Sequence, residues 1–343
     1  MIDYNGLLLT NVSSIVSFKL FLFIILTLFV SLGIDIIFGE IPGKIHPVVI
    51  IGSIINFFKN IFIKMKNKTS GLFVVLLVFA VVSLILYLIY LISSVNLILL
   101  FIVFAILLSS TYSVNMLLQT AVDVKNDLNE SIDKARKSVS YLVSRDTDEL
   151  TESFIVSAVI ESLTENITDS YVAPVFYFFI FAIIILINPI NDYLYYLLLI
   201  PVLYRASNTM DAMLGYQNDE LRYIGYVPAK LDDVLNYIPA RISGLLVVVS
   251  AYLLNLDGKN SFKVMMRDAR KCPSPNSGYT MASAAGALNI QLIKKDTYIL
   301  GDDNKVIIAD DISKAVKLSK LTIILFTIIM VVLFTLVYVI LWK

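Results

Sequence analysis

The chain has 343 residues, 58% of them hydrophobic, and its 27 basic residues balance 27 acidic ones. That apolar share exceeds the roughly 45–50% of soluble domains, and the balanced charge, with no basic face or tail, excludes a nucleic-acid-binding signature. A single cysteine, Cys272, excludes an internal disulfide and any cysteine-rich zinc or iron–sulfur centre, and a single histidine, His46, excludes a multi-histidine metal site.

The apolar residues fall in blocks, and a bilayer asks for about 20 of them per helix. The first block covers 18–38. No small-residue cleavage site follows it, so it reads as a retained helix rather than a signal peptide. The stretch D-I-I-F-G-E-I-P-G-K-I-H-P-V-V-I-I-G at 35–52 comes next. Gly39, Pro42, Gly43 and Pro47 force a turn. Asp35 is an ionisable group at the end of a span, where charge is costly and suggests function. His46 precedes a proline and is held extended; it reads either as a turn residue or as a working group. The spacing G-E-I-P-G-K lacks the phosphate-loop pattern. With Lys44, Lys59, Lys64, Lys66 and Lys68, residues 39–70 are expected to be polar and cytoplasmic. Spans over 71–93 and 95–118 follow, joined by the short linker SSVN.

From Asp146 to Tyr204 there is no Lys or Arg. The periodicity predicts a helix over 152–170. Ile155, Val159, Leu163 and Ile167 cover its apolar side, and Glu161, Glu165 and Asp169 form a stripe near the opposite side. Like charges four residues apart destabilise a helix by about 0.2–0.5 kcal/mol per pair, and by more near a low-dielectric boundary. The stripe is therefore either a solvated face or a cation site. Magnesium, which takes one or two carboxylates plus substrate phosphates, suits such oxygen ligands. An amine, or a distant arginine such as Arg205 or Arg241, would also answer the charge.

Residues 171–204 are apolar but broken at Asn188-Pro189, which predicts a tight helical hairpin or two short helices. The segments Y-R-A-S-N-T-M-D-A-M-L-G-Y at 204–216 and A-K-L-D-D-V-L-N-Y-I-P-A-R at 229–241 set Asn208 near Asp211 and Asp233 near Asn236. Such pairs are caps or turns; beside Arg205 and Arg241 they also suit a phosphate or metal–phosphate site. Residues 244–256 are too short to cross and read as a re-entrant or buried core helix. Over 267–288, a loop at Pro273–Gly278 leads into a helix near Tyr279, with Arg267, Arg270 and Lys271 just upstream. The start of that helix is either an anion site or an ordinary cap. Cys272 is not expected to be a nucleophile, because the only histidine is far away in sequence. The last span covers 321–342.

Taken together, residues 1–343 read as a single integral membrane domain, all-α and polytopic. It has about five or six transmembrane helices, cytoplasmic helical segments and a re-entrant helix. The polar segments 39–70, 119–170, 205–243 and 257–320 are expected on the cytoplasmic face, since the SSVN and NPIND loops carry no Lys or Arg. The absence of an internal repeat gives an inverted-repeat transporter little support.

These segments together resemble the CbiB/CobD membrane-protein family of cobalamin biosynthesis, the adenosylcobinamide-phosphate synthases. The resemblance rests on D-x-x-F-G-E-x-P-x-x-x-H-P-V-x-x-I-G at 35–52 and on S-R-D-T then E-S-x-x-E-N-x-x-D-x-x-V-A-P-x-F-Y within 144–177. It continues with N-T-M-D-A-M-x-G-Y at 208–216, A-x-L-D-D-x-L-N-x-I-P-A-R at 229–241 and S-P-N-S-G at 274–278. Each motif alone is weak; their order, over nearly the whole chain, is specific. The chain departs at Glu40, where many relatives have Asp, and at Tyr237 and Tyr279, which replace tryptophans.

The resemblance implies an ATP- and magnesium-dependent ligase. Such an enzyme joins aminopropanol, or its O-phosphate, to a propionate of adenosylcobyric acid. On that basis Glu161, Glu165 and Asp169, with Asp232 or Asp233, are expected around metal and ATP. Arg145, Arg241 and the loop of Ser274, Asn276 and Gly278 would hold phosphates. Asn166, Asn208, Asp211 and Asn236 would line the substrate, and His46 would be a base or phosphate ligand oriented by Asp35 or Glu40. The patches are expected to meet in one pocket at the inner leaflet of a cell membrane. The implied partners are a corrinoid, the amine, the bilayer and other cobalamin-pathway enzymes. A non-catalytic corrinoid transporter, or a scaffold for the pathway, is the competing reading.

Overall fold

The computed structural model describes residues 4–39, 42–143, 145–188, 193–216 and 218–341, apart from the side chains of 4–17 and of residue 44. Helices α1 (Tyr4–Phe38), α2 (Pro47–Phe62), α3 (Lys68–Ser93) and α4 (Leu97–Ser109) are followed by α5 (Val114–Glu130), α6 (Ile132–Val139) and α7 (Glu152–Ile167). Next come α8 (Ala173–Ile187), α9 (Tyr193–Leu214), α10 (Tyr226–Leu235), α11 (Tyr237–Leu253), α12 (Gly258–Asp268) and α13 (Gly278–Leu288). A hairpin of β1 (Gln291–Lys294) and β2 (Tyr298–Gly301) leads into α14 (Ala309–Leu341).

Among the described residues, six helical stretches are long and apolar enough to cross a membrane: Phe18–Phe38, Pro47–Met65, Lys68–Ser93, Leu97–Glu130, Glu152–Ile187 and Ala309–Leu341. The pair α10–α11, bent by 49°, would make a seventh if it is one broken span. The chain is thus an all-α polytopic membrane protein with one small hairpin. Three sequence expectations change. Residues 39–70 contain Pro47–Met65, because the lysines gather at its C-terminal end and leave 47–58 uncharged. The helix expected over 152–170 and the apolar run that opens 171–204 form one candidate span, Glu152–Ile187. The helix at 244–256 begins earlier, at Tyr237. Pro189 and Asp192 of the expected break, and Glu40 of the first turn, lie outside the described residues.

The turns follow from side-chain caps. Asn67 accepts from the Ser70 amide at 3.1 Å, and Asn96 accepts from the Ile98 and Leu99 amides at 2.8 and 3.1 Å. Each satisfies helix-start donors that have no partner within the helix.

The chain divides into two compact units. The first comprises residues 1–111, 174–225 and 328–343. Here α1 packs on α4, with Phe23 edge-on to Phe101 and Phe104 at 5.8 and 5.3 Å. Helix α2 packs on α3 and α9. Ile24, Leu28, Val78 and Phe104 are buried, whereas Leu26, Phe29 and Leu88 are exposed, an arrangement that suits hydrocarbon as solvent. Thr27 and Ser31 donate to their own helix at Phe23 O and Leu28 O, so neither of these two hydroxyls is left unpaired.

The second unit comprises residues 112–173 and 226–327. Its core gathers Val124, Val139, Ile155, Val159, Leu163, Leu292, Leu300 and Ile312 around α7. Helix α7 is buried on nearly every side rather than along one stripe, as expected of a helix at the centre of a layer. It runs into a π-helical turn, Thr168–Val172. That turn is fixed by the Ser113 amide donating to Ser170 O at 3.1 Å and by a hydrogen bond between Tyr171 and Thr327 at 2.6 Å. The hairpin pairs Gln291 with Gly301, Leu292 with Leu300, Ile293 with Ile299 and Lys294 with Tyr298. Its outer end is tied to α12. The Gly301 amide donates to buried Asp268 at 2.9 Å, and Asp268 also receives Arg267 at 2.7 and 2.8 Å and Lys271 at 2.6 Å.

Candidate functional site

A cleft of about 120 Å³ opens in the second unit between the C-terminal half of the acidic helix and the hairpin. Its wall is Leu142, Val143 and Arg145 from the segment before α7, Glu161, Ser162, Glu165 and Asn166 from α7, and Lys294 and Tyr298 from the hairpin. The spacing of four brings Glu161 and Glu165 to one face of α7, as the sequence predicts. Asp169 falls in the π-helical turn, where the residue-to-residue rotation changes, and it is not among the residues that line the cleft.

Glu161 is buried, and its carboxylate is bonded at both oxygens. Its Oε1 accepts from Arg145 Nη2 at 3.2 Å and from the Ser157 hydroxyl at 2.7 Å; its Oε2 accepts from the Tyr298 hydroxyl at 2.8 Å. A buried charge is tolerable only with such partners. Ser157 in turn accepts from the Ile293 amide at 3.1 Å, and Arg145 Nη1 donates to Ile293 O at 3.3 Å, so strand β1 is held against α7 by the same network. Arg145 Nε is buried and meets no acceptor. Burial pushes the Tyr298 hydroxyl far above its ordinary pKa, and the charge of Glu161 pushes it further, so it stays a proton donor. Asn166 donates to Ser162 O at 2.8 Å, one turn back.

The motifs at 229–241 and 274–278 also meet in this unit. Arg241 lies between two aromatic rings, 3.6 Å above Tyr237 and 4.2 Å above Tyr279. It donates to Asn276 Oδ1 at 2.6 Å and to Pro275 O at 3.0 Å. Asn276 donates to Asp233 O at 2.8 Å, and the Ser274 hydroxyl accepts from the Asn276 amide at 3.2 Å. Gly278 passes so close to Ala269 that a Cβ there would lie 2.0 Å from its carbonyl oxygen. Asn236 donates to buried Asp232 at 3.0 Å, and Lys230 pairs with Asp233 at 2.8 Å.

In the first unit His46 caps α2, its Nδ1 accepting from the Val48 amide at 3.1 Å. Arg205 donates to Asn208 Oδ1 at 3.2 Å, and Asp211 lies against Gly215, whose amide donates to Asp211 O at 2.7 Å.

A family model described as CobD/Cbib protein matches residues 28–321. A probable cobalamin biosynthesis protein CobD of Methanothermobacter thermautotrophicus is 45% identical over 301 residues, covering 88% of this chain and 95% of that one. The chain belongs to the CobD/CbiB family. Probable CobD proteins of Methanococcus aeolicus (41% identical; 80% of this chain, 86% of that one) and Methanocaldococcus jannaschii (36%; 88% and 95%) are further relatives. No solved structure matches.

For a CobD/CbiB chain the acidic stripe raises the question of a metal. Among the described residues, no three His, Cys, Asp or Glu side chains stand together as a cage. Magnesium does not need one, since one or two carboxylates and substrate phosphates suffice. Glu161 is bonded within the protein, and Glu165 is the second carboxylate that lines the cleft. Cys272 does not offer a thiolate. Burial pushes its thiol up to about 12, with Glu165 and Glu161 adding to the rise against a hydrogen bond with Ser277.

The cleft residues Lys294, Tyr298 and Ser162, and Ser157 that bonds Glu161 behind them, carry no signal in the sequence. Tyr298 stands 137 positions from the glutamate it holds. The hairpin that delivers it and Lys294 has no apolar–polar alternation to mark it, since Leu292 stands beside Ile293 and Leu300 beside Ile299.

Proposed function

We propose that the chain acts in cobalamin biosynthesis as an amide-forming ligase. It attaches aminopropanol, or its O-phosphate, to the propionate carboxylate of adenosylcobyric acid, giving adenosylcobinamide or its phosphate, with ATP and magnesium. The match of the family model over 28–321 carries this reading. The cleft supports it by chemistry. A carboxylate is a poor electrophile until one of its oxygens is phosphorylated. The amine nitrogen then attacks the carbonyl carbon, the C–O bond to phosphate breaks, and phosphate leaves. An ammonium must first give up a proton to a base.

On this reading Glu161 is a fixed anchor. Its three hydrogen bonds orient Arg145 and Tyr298 and hold the wall of the cleft. Glu165 is the carboxylate to take the amine's proton or to share in holding magnesium. Asp169, Asp232 and Asp233 are the other acids that would serve magnesium, which supplies neutralisation of phosphate charge when bound. Arg241 and the 274–278 loop form a preorganised turn beside Asp233, and His46, Asn208 and Asp211 are substrate contacts of the first unit.

Purified protein in detergent or nanodiscs, given adenosylcobyric acid, aminopropanol or its phosphate, ATP and magnesium, is expected to yield a corrinoid heavier by one aminopropanol unit. Movement of unaltered corrinoid into vesicles, with no such mass change, would replace the ligase by a transporter.

A further inference from the structure

We propose that Lys294, at the end of β1, is the phosphoryl-binding residue of the Glu161–Glu165 cleft; this rests on the reading that the cleft serves amide formation. Lys294 pairs with Tyr298 across the hairpin, and cross-strand partners stand on one face. Both line the cleft. Tyr298 is committed to Glu161, whereas the ammonium of half-buried Lys294 has neither an ion-pair nor a hydrogen-bond partner among the described residues. Other lysines beside acids are paired, as with Lys125 to Asp310, Lys230 to Asp233 and Lys305 to Asp311. A lysine that lines a cleft with two glutamates yet bonds to neither is placed for something the protein does not supply.

The charges say what that is. Arg145 and Glu161 neutralise each other at 3.2 Å, so among the described lining residues the Lys294 ammonium is the positive charge that no ion pair engages. Arg145 Nε, buried without an acceptor among the described residues, is a second donor left unmet. An anion between Lys294 and Arg145 Nε would meet both donors. Lysine is a strong point-charge binder of phosphate. At about 120 Å³ the cleft takes a phosphoryl group and a few attached atoms, well short of the several hundred Å³ that a nucleoside or corrin ring would need. The phosphoryl group can come from ATP or from a phosphorylated amine.

Calorimetric titration of the intact protein in nanodiscs with magnesium-ATP, with aminopropanol phosphate and with cobyric acid distinguishes the sources. Lys294→Gln is expected to weaken one of the two phosphorylated ligands by about tenfold or more, the worth of a charge-assisted hydrogen bond, and to leave cobyric acid within twofold. Lys294→Arg is expected to restore most of the lost affinity. Whichever ligand is weakened names the source. The proposal is overturned if the wild type binds neither phosphorylated ligand, if Lys294→Gln binds both within twofold of wild type, or if it weakens all three alike. Amide formation by the wild type is read separately by mass. Product with unchanged Lys294→Gln binding sinks only this assignment, and altered binding without product sinks only the ligase.

Discussion

The Tyr298 hydroxyl donates to Glu161 Oε2 at 2.8 Å, joining the hairpin to the acidic helix. Tyr298→Phe removes the donor and leaves a buried carboxylate oxygen short of a partner, at a cost of about 1–3 kcal/mol. A lowered melting temperature in detergent is expected, with normal helix content by circular dichroism. An unchanged melting temperature would mean that water replaces the hydroxyl there.

Arg145 and Glu161 depend on each other in the same way. Arg145→Met strands a buried negative charge and is expected to cost about 3–5 kcal/mol, while the double variant with Glu161→Leu recovers much of that loss. Denaturant unfolding of the two single variants and the double variant gives the coupling directly; additive losses would contradict it.

Acid should loosen the tie at the outer end of the hairpin. Burial opposes ionisation of Asp268, but hydrogen bonds from Arg267, Lys271 and the Gly301 amide overcome it and hold its pKa at about 2. Because the folded value lies below the ordinary carboxylate value, the stabilisation is present above about pH 4 and is lost as pH falls from about 4 to 2. It amounts to about 2 kcal/mol. Asp268→Asn should flatten that part of the stability–pH curve relative to wild type, and parallel curves would refute the assignment.

The sequence made the membrane helices plain where apolar residues run unbroken, as over 71–93 and 321–341. It hid Pro47–Met65, because turn formers before it and lysines at its end mimic a polar segment. Glu161 and Glu165 could be placed together, since helical spacing is local information. Their partners could not: Arg145, Lys294 and Tyr298 arrive through tertiary packing, and a four-residue strand has too little periodicity to announce itself. The π-helical turn that takes Asp169 out of line has no sequence mark either.

Arg241 holds the 274–278 loop through its carbonyl and amide contacts while stacked between Tyr237 and Tyr279. Lysine cannot reproduce that planar fork. Arg241→Lys should raise amide hydrogen exchange across 274–278 several-fold and leave α13 protected; uniform protection of the loop would show that the stack is dispensable.

Glu165→Gln and Asp169→Asn separate the roles of the acids. If Glu165 takes the amine's proton or shares in holding magnesium, Glu165→Gln should lower turnover by about 10²-fold or more. Asp169→Asn, outside the cleft, is expected to have the smaller effect. Normal turnover in both would remove the acidic helix from the chemistry.

The pairing of Lys294 with Tyr298 has an evolutionary corollary. Only residues 295–297 separate them, and side chains alternate between the two faces of a strand. Adding or deleting one residue in that connection would slip the register and rotate one or both side chains out of the cleft. The length of this turn, more than its composition, should therefore be what relatives with the same activity cannot vary.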